Sequence, residues 1–90
     1  MVHLISYTLH HPGRNYDSLY EAIKGISGVW WKHTTSAWIV QSSLSCQQIY
    51  NLLSSHVDAN DEVVVFRLQG EWWGRILNPD NKDWMLKREF

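Results

Sequence analysis

Four segments of this chain are apolar at nearly every position and short: Val2 to Leu9, Trp30 to His33, Ser36 to Gln41 and Glu62 to Leu68. Side chains alternate between the two faces of a strand, so a strand that is apolar at odd and even positions alike must be covered on both sides. A chain with four such strands has to build a sheet with something packed on each face. In the first segment only His3, Ser6 and Thr8 interrupt the run, which suits the centre of a sheet. The last, Val-Val-Val-Phe-Arg-Leu, is broken only by Arg67.

Two helical stripes separate the strands. From Tyr16 to Ser27 the apolar residues Tyr16, Leu19, Ile23 and Ile26 recur at spacings of three and four, with Tyr20 flanking them. Asn15 is the expected N-cap, Asp17 and Glu21 suit the N-terminal half, and Gly25 and Gly28 end the helix. Ser45-Cys-Gln-Gln48 is a capping box, and the helix that it opens is expected to run to about His56 with Cys46, Ile49, Tyr50, Leu53 and Val57 inward. After Gly70 comes the irregular Glu-Trp-Trp-Gly, then a short helix begun by Pro79 and holding Trp84 and Leu86. A tail of this kind is expected to fold over a sheet edge, since a bare edge invites unwanted pairing.

The order β-α-β-β-α-β is that of the split βαβ, or ferredoxin-like, arrangement: an α+β sandwich with an antiparallel sheet and both helices on one face. The expected organisation is one domain over residues 1–90, a core to residue 69 and a tail from 70 to 90. Two helices cover one face only. The simplest cover for the other is a second copy of the chain, so a homodimer is expected. Size points the same way, because a chain of 90 residues buries only about 60–65% of its unfolded surface.

Trp30 to Val40 reads as a tight hairpin turning at Thr34-Thr35, with three of the six tryptophans in it and Lys32 and His33 at the bend. Formal net charge is −1, which gives no chain-wide basic field for a long duplex. No apolar run approaches the roughly 20 residues of a membrane span, and the strand pattern begins at once, so neither a membrane partner nor a leader is expected. The lone Cys46 has no partner for a disulfide, which fits a reducing, cytoplasmic setting.

Five pieces of the chain, in order, carry a family resemblance. They are Ile-Ser-Tyr-Thr-Leu at 5–9, His-Pro-Gly-Arg-Asn-Tyr at 11–16, Gly-Val-Trp-Trp at 28–31, Ser-Ala-Trp-Ile-Val at 36–40, and Asn-Asp-Glu-Val-Val-Val-Phe-Arg-Leu at 60–68. Together they resemble the SinR-like group related to the CRISPR-associated "Cas two" nuclease family. The resemblance implies a ferredoxin-like protomer and a two-fold dimer. In the nuclease relatives, the first strand ends in a tyrosine–aspartate pair, and the two aspartates of the dimer hold a divalent metal for phosphodiester cleavage. Here the matching position is Thr8, a neutral and poor ligand for Mg²⁺. No resident cofactor or metal is therefore expected, and Mg²⁺ enters only if the chain is a nuclease after all.

Three functions are compatible with these residues. In the first, the dimer binds a nucleotide or short nucleic acid, of signalling or cyclic type, without cleaving it. Its ligand-binding residues are Tyr7, Thr8, His10, Arg14, Trp31, Lys32 and His33, because cations meet phosphates and aromatic faces stack on bases. In the second, it is a phosphodiesterase or nuclease acting on RNA, DNA or cyclic nucleotides, with His33 and His10 (or His11) as acid and base; His33-Thr-Thr35 is a His-x-Thr triplet. In the third, it is a protein-interaction module, such as a toxin's partner or a component of defence or counter-defence, with the tryptophan-rich tail as contact surface.

Overall fold

The computed structural model describes residues 1–10 and 15–90. Pro12, Gly13 and two candidate site residues, His11 and Arg14, lie outside the described residues. The elements in chain order are β1 (Val2–Thr8), α1 (Asp17–Lys24), β2 (Trp30–Thr34), β3 (Ala37–Gln41), α2 (Cys46–Ser54), β4 (Glu62–Leu68) and α3 (Pro79–Leu86). The strands form one sheet in the order β2-β3-β1-β4, with every neighbouring pair antiparallel. This is a small α+β fold, a four-stranded antiparallel sheet with three helices, and its element order and topology are compatible with the ferredoxin-like arrangement.

β1 lies at the centre, as its nearly unbroken apolar run requires. Its odd positions Ile5 and Tyr7 face α1 and α2, where they pack with Trp38 and Val40 of β3, Leu19 and Ile23 of α1, and Ile49 and Leu53 of α2. The capping box forms as expected: the Gln48 backbone N–H donates to Ser45 Oγ at 3.1 Å, and the Ser45 N–H donates to Gln48 Oε1 at 2.9 Å. α2 stops at Ser54, short of His56, because the chain tightens into a turn in which His56 N–H reaches the Leu53 carbonyl. Tyr50, expected inward, is exposed.

α1 is shorter than its stripe at both ends. It begins at Asp17, with Tyr16 in the N-cap position and no side-chain cap there. Asn15 still serves the first turn, since its Oδ1 accepts from the Asp17 N–H at 2.8 Å. At the other end Ile26 N–H bonds the Ile23 carbonyl, a three-residue closure that tightens the chain out of α geometry. Gly28 follows with φ of 75°, a conformation that disfavours a side chain. The hairpin turns one residue later than expected, at Thr35-Ser36, because His33 is the extra residue of a β-bulge between Lys32 and Thr34.

The second sheet face differs most from expectation. The chain covers it largely by itself: Met85 and the half-buried Trp72, Ile76, Trp84 and Phe90 pack on Val2, Leu4, Trp31, Ile39 and Leu68. The tail thus lies over a face and not merely an edge. α3 starts where Pro79 predicts, behind an Asn78 N-cap whose Oδ1 accepts from Asp80 N–H at 2.9 Å. It contains Trp84 and Leu86 as expected, turning Met85 inward and leaving Leu86 exposed. β4 stands at the edge, paired only with β1, and its outer residues Val64 and Phe66 are about half exposed, at 47% and 51%. An apolar strip therefore remains open, but it is narrower than a whole sheet face.

Candidate functional site

The residues expected to bind a ligand come from both faces and both sides of β3. Tyr7 and Thr8 end β1, and with Leu9, Thr35 and Ser36 they line a shallow, hydroxyl-rich cavity of about 290 Å³ beside the hairpin bend. The Tyr7 hydroxyl is fully used within the protein. It accepts from Trp38 Nε1 at 2.9 Å and donates to the Thr35 carbonyl at 2.9 Å. Burial pushes its pKa up, against the opposing effect of the Trp38 hydrogen bond, so it stays protonated at neutral pH. Thr8 is exposed, and Glu62 stands opposite it in the β1–β4 register. That carboxylate neighbour was hidden in the sequence by a separation of 54 positions.

The hairpin cluster divides. Trp31 and His33 lie on the tail side, with ring centroids 4.7 Å apart, and Trp31 is buried against Trp84 of α3 at 6.3 Å. A face so covered cannot stack on a base without the tail lifting. Lys32 lies on the helix side. Its Nζ sits 4.8 Å from the Tyr20 ring centroid and 5.4 Å from that of Trp38. With Lys24 over Trp30 at 5.4 Å, it caps a run of aromatic rings formed by Tyr7, Tyr20, Trp38 and Trp30. Each such contact contributes about 0.5–1 kcal/mol at an exposed site. His10 is exposed, and its backbone N–H is held by Asp61 Oδ1 at 2.8 Å, the same carboxylate that accepts from the Tyr16 hydroxyl through Oδ2. His33 belongs to β2, which β3 separates from β1 and its His10 extension.

A cationic cavity lies at the opposite end of the sheet, where β1 begins and β3 and β4 end. It measures about 490 Å³ and is lined among others by Gln41, Arg67, Gln69, Lys87, Glu89 and Phe90. β1 spans seven residues, which places this end roughly 20 Å from Thr8. Among the described residues, the side chains of Arg67 and Lys87 form neither an ion pair nor a hydrogen bond. Arg88 supports the wall. Its Nη1 donates to Gln41 Oε1 at 2.7 Å and its Nε donates to the Trp84 carbonyl at 3.1 Å, with the guanidinium 4.6 Å from the Trp84 ring centroid. Gln41 Oε1 is thereby engaged, and its amide N–H groups remain as donors. Sequence reasoning missed this site because Arg67 breaks an otherwise apolar strand, while Lys87 is 20 residues further on, among acids that cancel it on paper. The one signal was the charge inside β4.

Next to this end His3 is completely buried, and neither ring nitrogen has a hydrogen-bond partner. It pairs in register with Val40 and Arg67. Burial, then the amino terminus and the Arg67 guanidinium, pull its pKa below the ordinary value of 6.5, so the ring is neutral at pH 7. Among the described residues no three His, Cys, Asp or Glu side chains converge in a way that would hold a metal ion. No helix among them is long and apolar enough to cross a membrane. Comparison with protein-family models, with curated proteins and with solved structures finds no match to this chain.

Proposed function

We propose that this protein is a cytoplasmic, homodimeric binding module of ferredoxin-like type, related to the SinR-like group, that holds a nucleotide or short nucleic acid without cleaving it. The observation that carries the reading is the cavity of Arg67 and Lys87. Two unpaired cations, the amides of Gln41 and Gln69 and the ring of Phe90 supply phosphate contacts, directional donors and an aromatic wall in one place. Its volume lies within the usual range for small-ligand sites. Thr8, standing where the nuclease relatives carry an aspartate, argues for holding over cleaving. The ligand's seat is thus moved from the hairpin bend to the other end of β1. The exposed Val64 and Phe66 supply a strip for the second copy.

Titration calorimetry with adenosine 5′-monophosphate (AMP) and short oligoadenylates tests this. Charge-assisted hydrogen bonds contribute about 1.5–3 kcal/mol each, so the pair Arg67→Ala and Lys87→Ala is expected to weaken binding by tenfold at least. Undiminished affinity in that variant, or no heat from any of these probes with the wild type, refutes the reading.

A further inference from the structure

A second cationic cavity lies on the same C-terminal segment. It is small, about 230 Å³, and is lined by Trp72, Gly74, Arg75, Ile76 and Lys82. Among the described residues neither the Arg75 nor the Lys82 side chain has an ion pair or a hydrogen bond, and no carboxylate lines this cavity. Trp72 belongs to its wall and Phe90 to the wall of the larger cavity, and these two rings pack on one another with centroids 6.5 Å apart. The two cavities are therefore neighbours across an aromatic partition. Beside the partition Trp73 is 96% exposed, the most open large apolar side chain among the described residues. A fully exposed tryptophan next to unpaired cations is a platform without a partner.

We propose that these features form one track for single-stranded nucleic acid, in which Arg67 and Lys87 hold one phosphate, Arg75 and Lys82 hold another, and Trp73 stacks on a base. The inference rests on the nucleotide-binding reading above and narrows its ligand to a strand of two or more nucleotides. Volume favours this. A cavity of 230 Å³ is below the range of complete small-ligand sites but accommodates a phosphate or part of one nucleotide. Surface chemistry favours it too, since cations following a backbone and aromatics following the bases are what single strands require. A duplex would need a broader basic face than a chain of net charge −1 provides.

The test compares AMP with the RNA hexamer of adenylate on the full chain by calorimetry. The wild type is expected to bind the hexamer at least tenfold more tightly than AMP. The exposed pair Arg75→Ala and Lys82→Ala is expected to erase that gain and to reduce the salt slope of hexamer binding by about 0.7, the value for the one phosphate that the pair holds. Trp73→Ala should weaken the hexamer by about fivefold or more, and Trp73→Phe should restore it, because either ring stacks. A hexamer no tighter than AMP in the wild type, or a gain that survives in the Arg75/Lys82 variant with circular dichroism showing it folded, overturns the track while leaving the first cavity standing. Absence of binding of either probe to the wild type overturns the nucleotide reading itself.

Discussion

Replacing Tyr7 by phenylalanine removes one oxygen and tests whether this residue belongs to the frame or to a binding site. The oxygen joins the core to the hairpin: it accepts from Trp38 Nε1 and donates to the Thr35 carbonyl, each at 2.9 Å. Trp38 is 1% exposed, so its indole N–H is left without water or any other acceptor. A buried donor stranded in this way costs about 1–3 kcal/mol. The Thr35 carbonyl lies at an exposed bend where water replaces the lost donor, so that half contributes about 0.5–1 kcal/mol. Together these predict a loss of about 1.5–4 kcal/mol, which for a domain of this size lowers Tm by roughly 6–30 °C. Urea unfolding followed by tryptophan fluorescence measures it, with the m-value expected to stay constant. A cycle with Trp38→Phe separates the bond from the packing: the double variant, with donor and acceptor both gone, is expected to lose less than the two single variants added together. A Tyr7→Phe loss under about 0.5 kcal/mol, or strict additivity in the cycle, would refute the account. A Tyr7→Phe protein of unchanged stability but weakened AMP binding would return Tyr7 to the ligand site expected from sequence.

Two further predictions follow from the same packing. His3 is buried with a lowered pKa, so the folded state resists a proton that the unfolded state accepts; stability is therefore expected to fall as pH drops below about 6.5, by at most about 1.4 kcal/mol per unit, and urea titrations at pH 7.5 and 5.0 should show His3→Phe with a flatter dependence. If the exposed strip on β4 is the homodimer contact, Val64→Asp with Phe66→Asp should reduce a two-chain mass in light scattering to one chain without loss of helical circular dichroism; a two-chain mass that survives both changes places the contact elsewhere.

What was legible in the sequence was whatever depends on neighbours along the chain. The Ser45–Gln48 capping box, Pro79 at the head of α3, β4 from Glu62 to Leu68 and the central position of β1 all follow from spacing or local composition. Element ends were less legible: the Ile26 closure shortens α1, and the His33 bulge shifts the hairpin turn by one residue, because hydrogen bonds that tighten a turn leave no periodic trace. The second sheet face was misjudged for a different reason. An apolar strand face states that it must be covered but not by what, and the tail pattern, with Trp72, Trp84 and Met85 irregularly spaced, did not announce itself as the cover. The candidate site shifted for the same reason. Alternation already set Lys32 apart from Trp31 and His33, yet only the packing shows that Trp31 is hidden by α3 and that Lys32 lies over Tyr20 and Trp38.

Charge gives the sharpest contrast between sequence and fold. Counted over the chain, eight cations and nine acids almost cancel, and the tail alone balances as well. The fold sorts them. The cavity where β4 begins, about 520 Å³, is lined by Asp58, Asp61 and Glu62 with no cation in its wall. At the other end the larger of the two cationic cavities carries Arg67 and Lys87 against the single Glu89, and the smaller carries Arg75 and Lys82 against none. The length of β4, seven residues or roughly 20 Å, exceeds the screening length of about 8 Å at physiological salt, so an approaching anion responds to the end that it meets and not to the sum. A near-neutral chain can thus present a locally attractive site, one whose on-rate falls with ionic strength. The same argument favours a short strand over a long duplex in the proposed reading: a few phosphates fit inside one patch, whereas a duplex would extend past it onto acid.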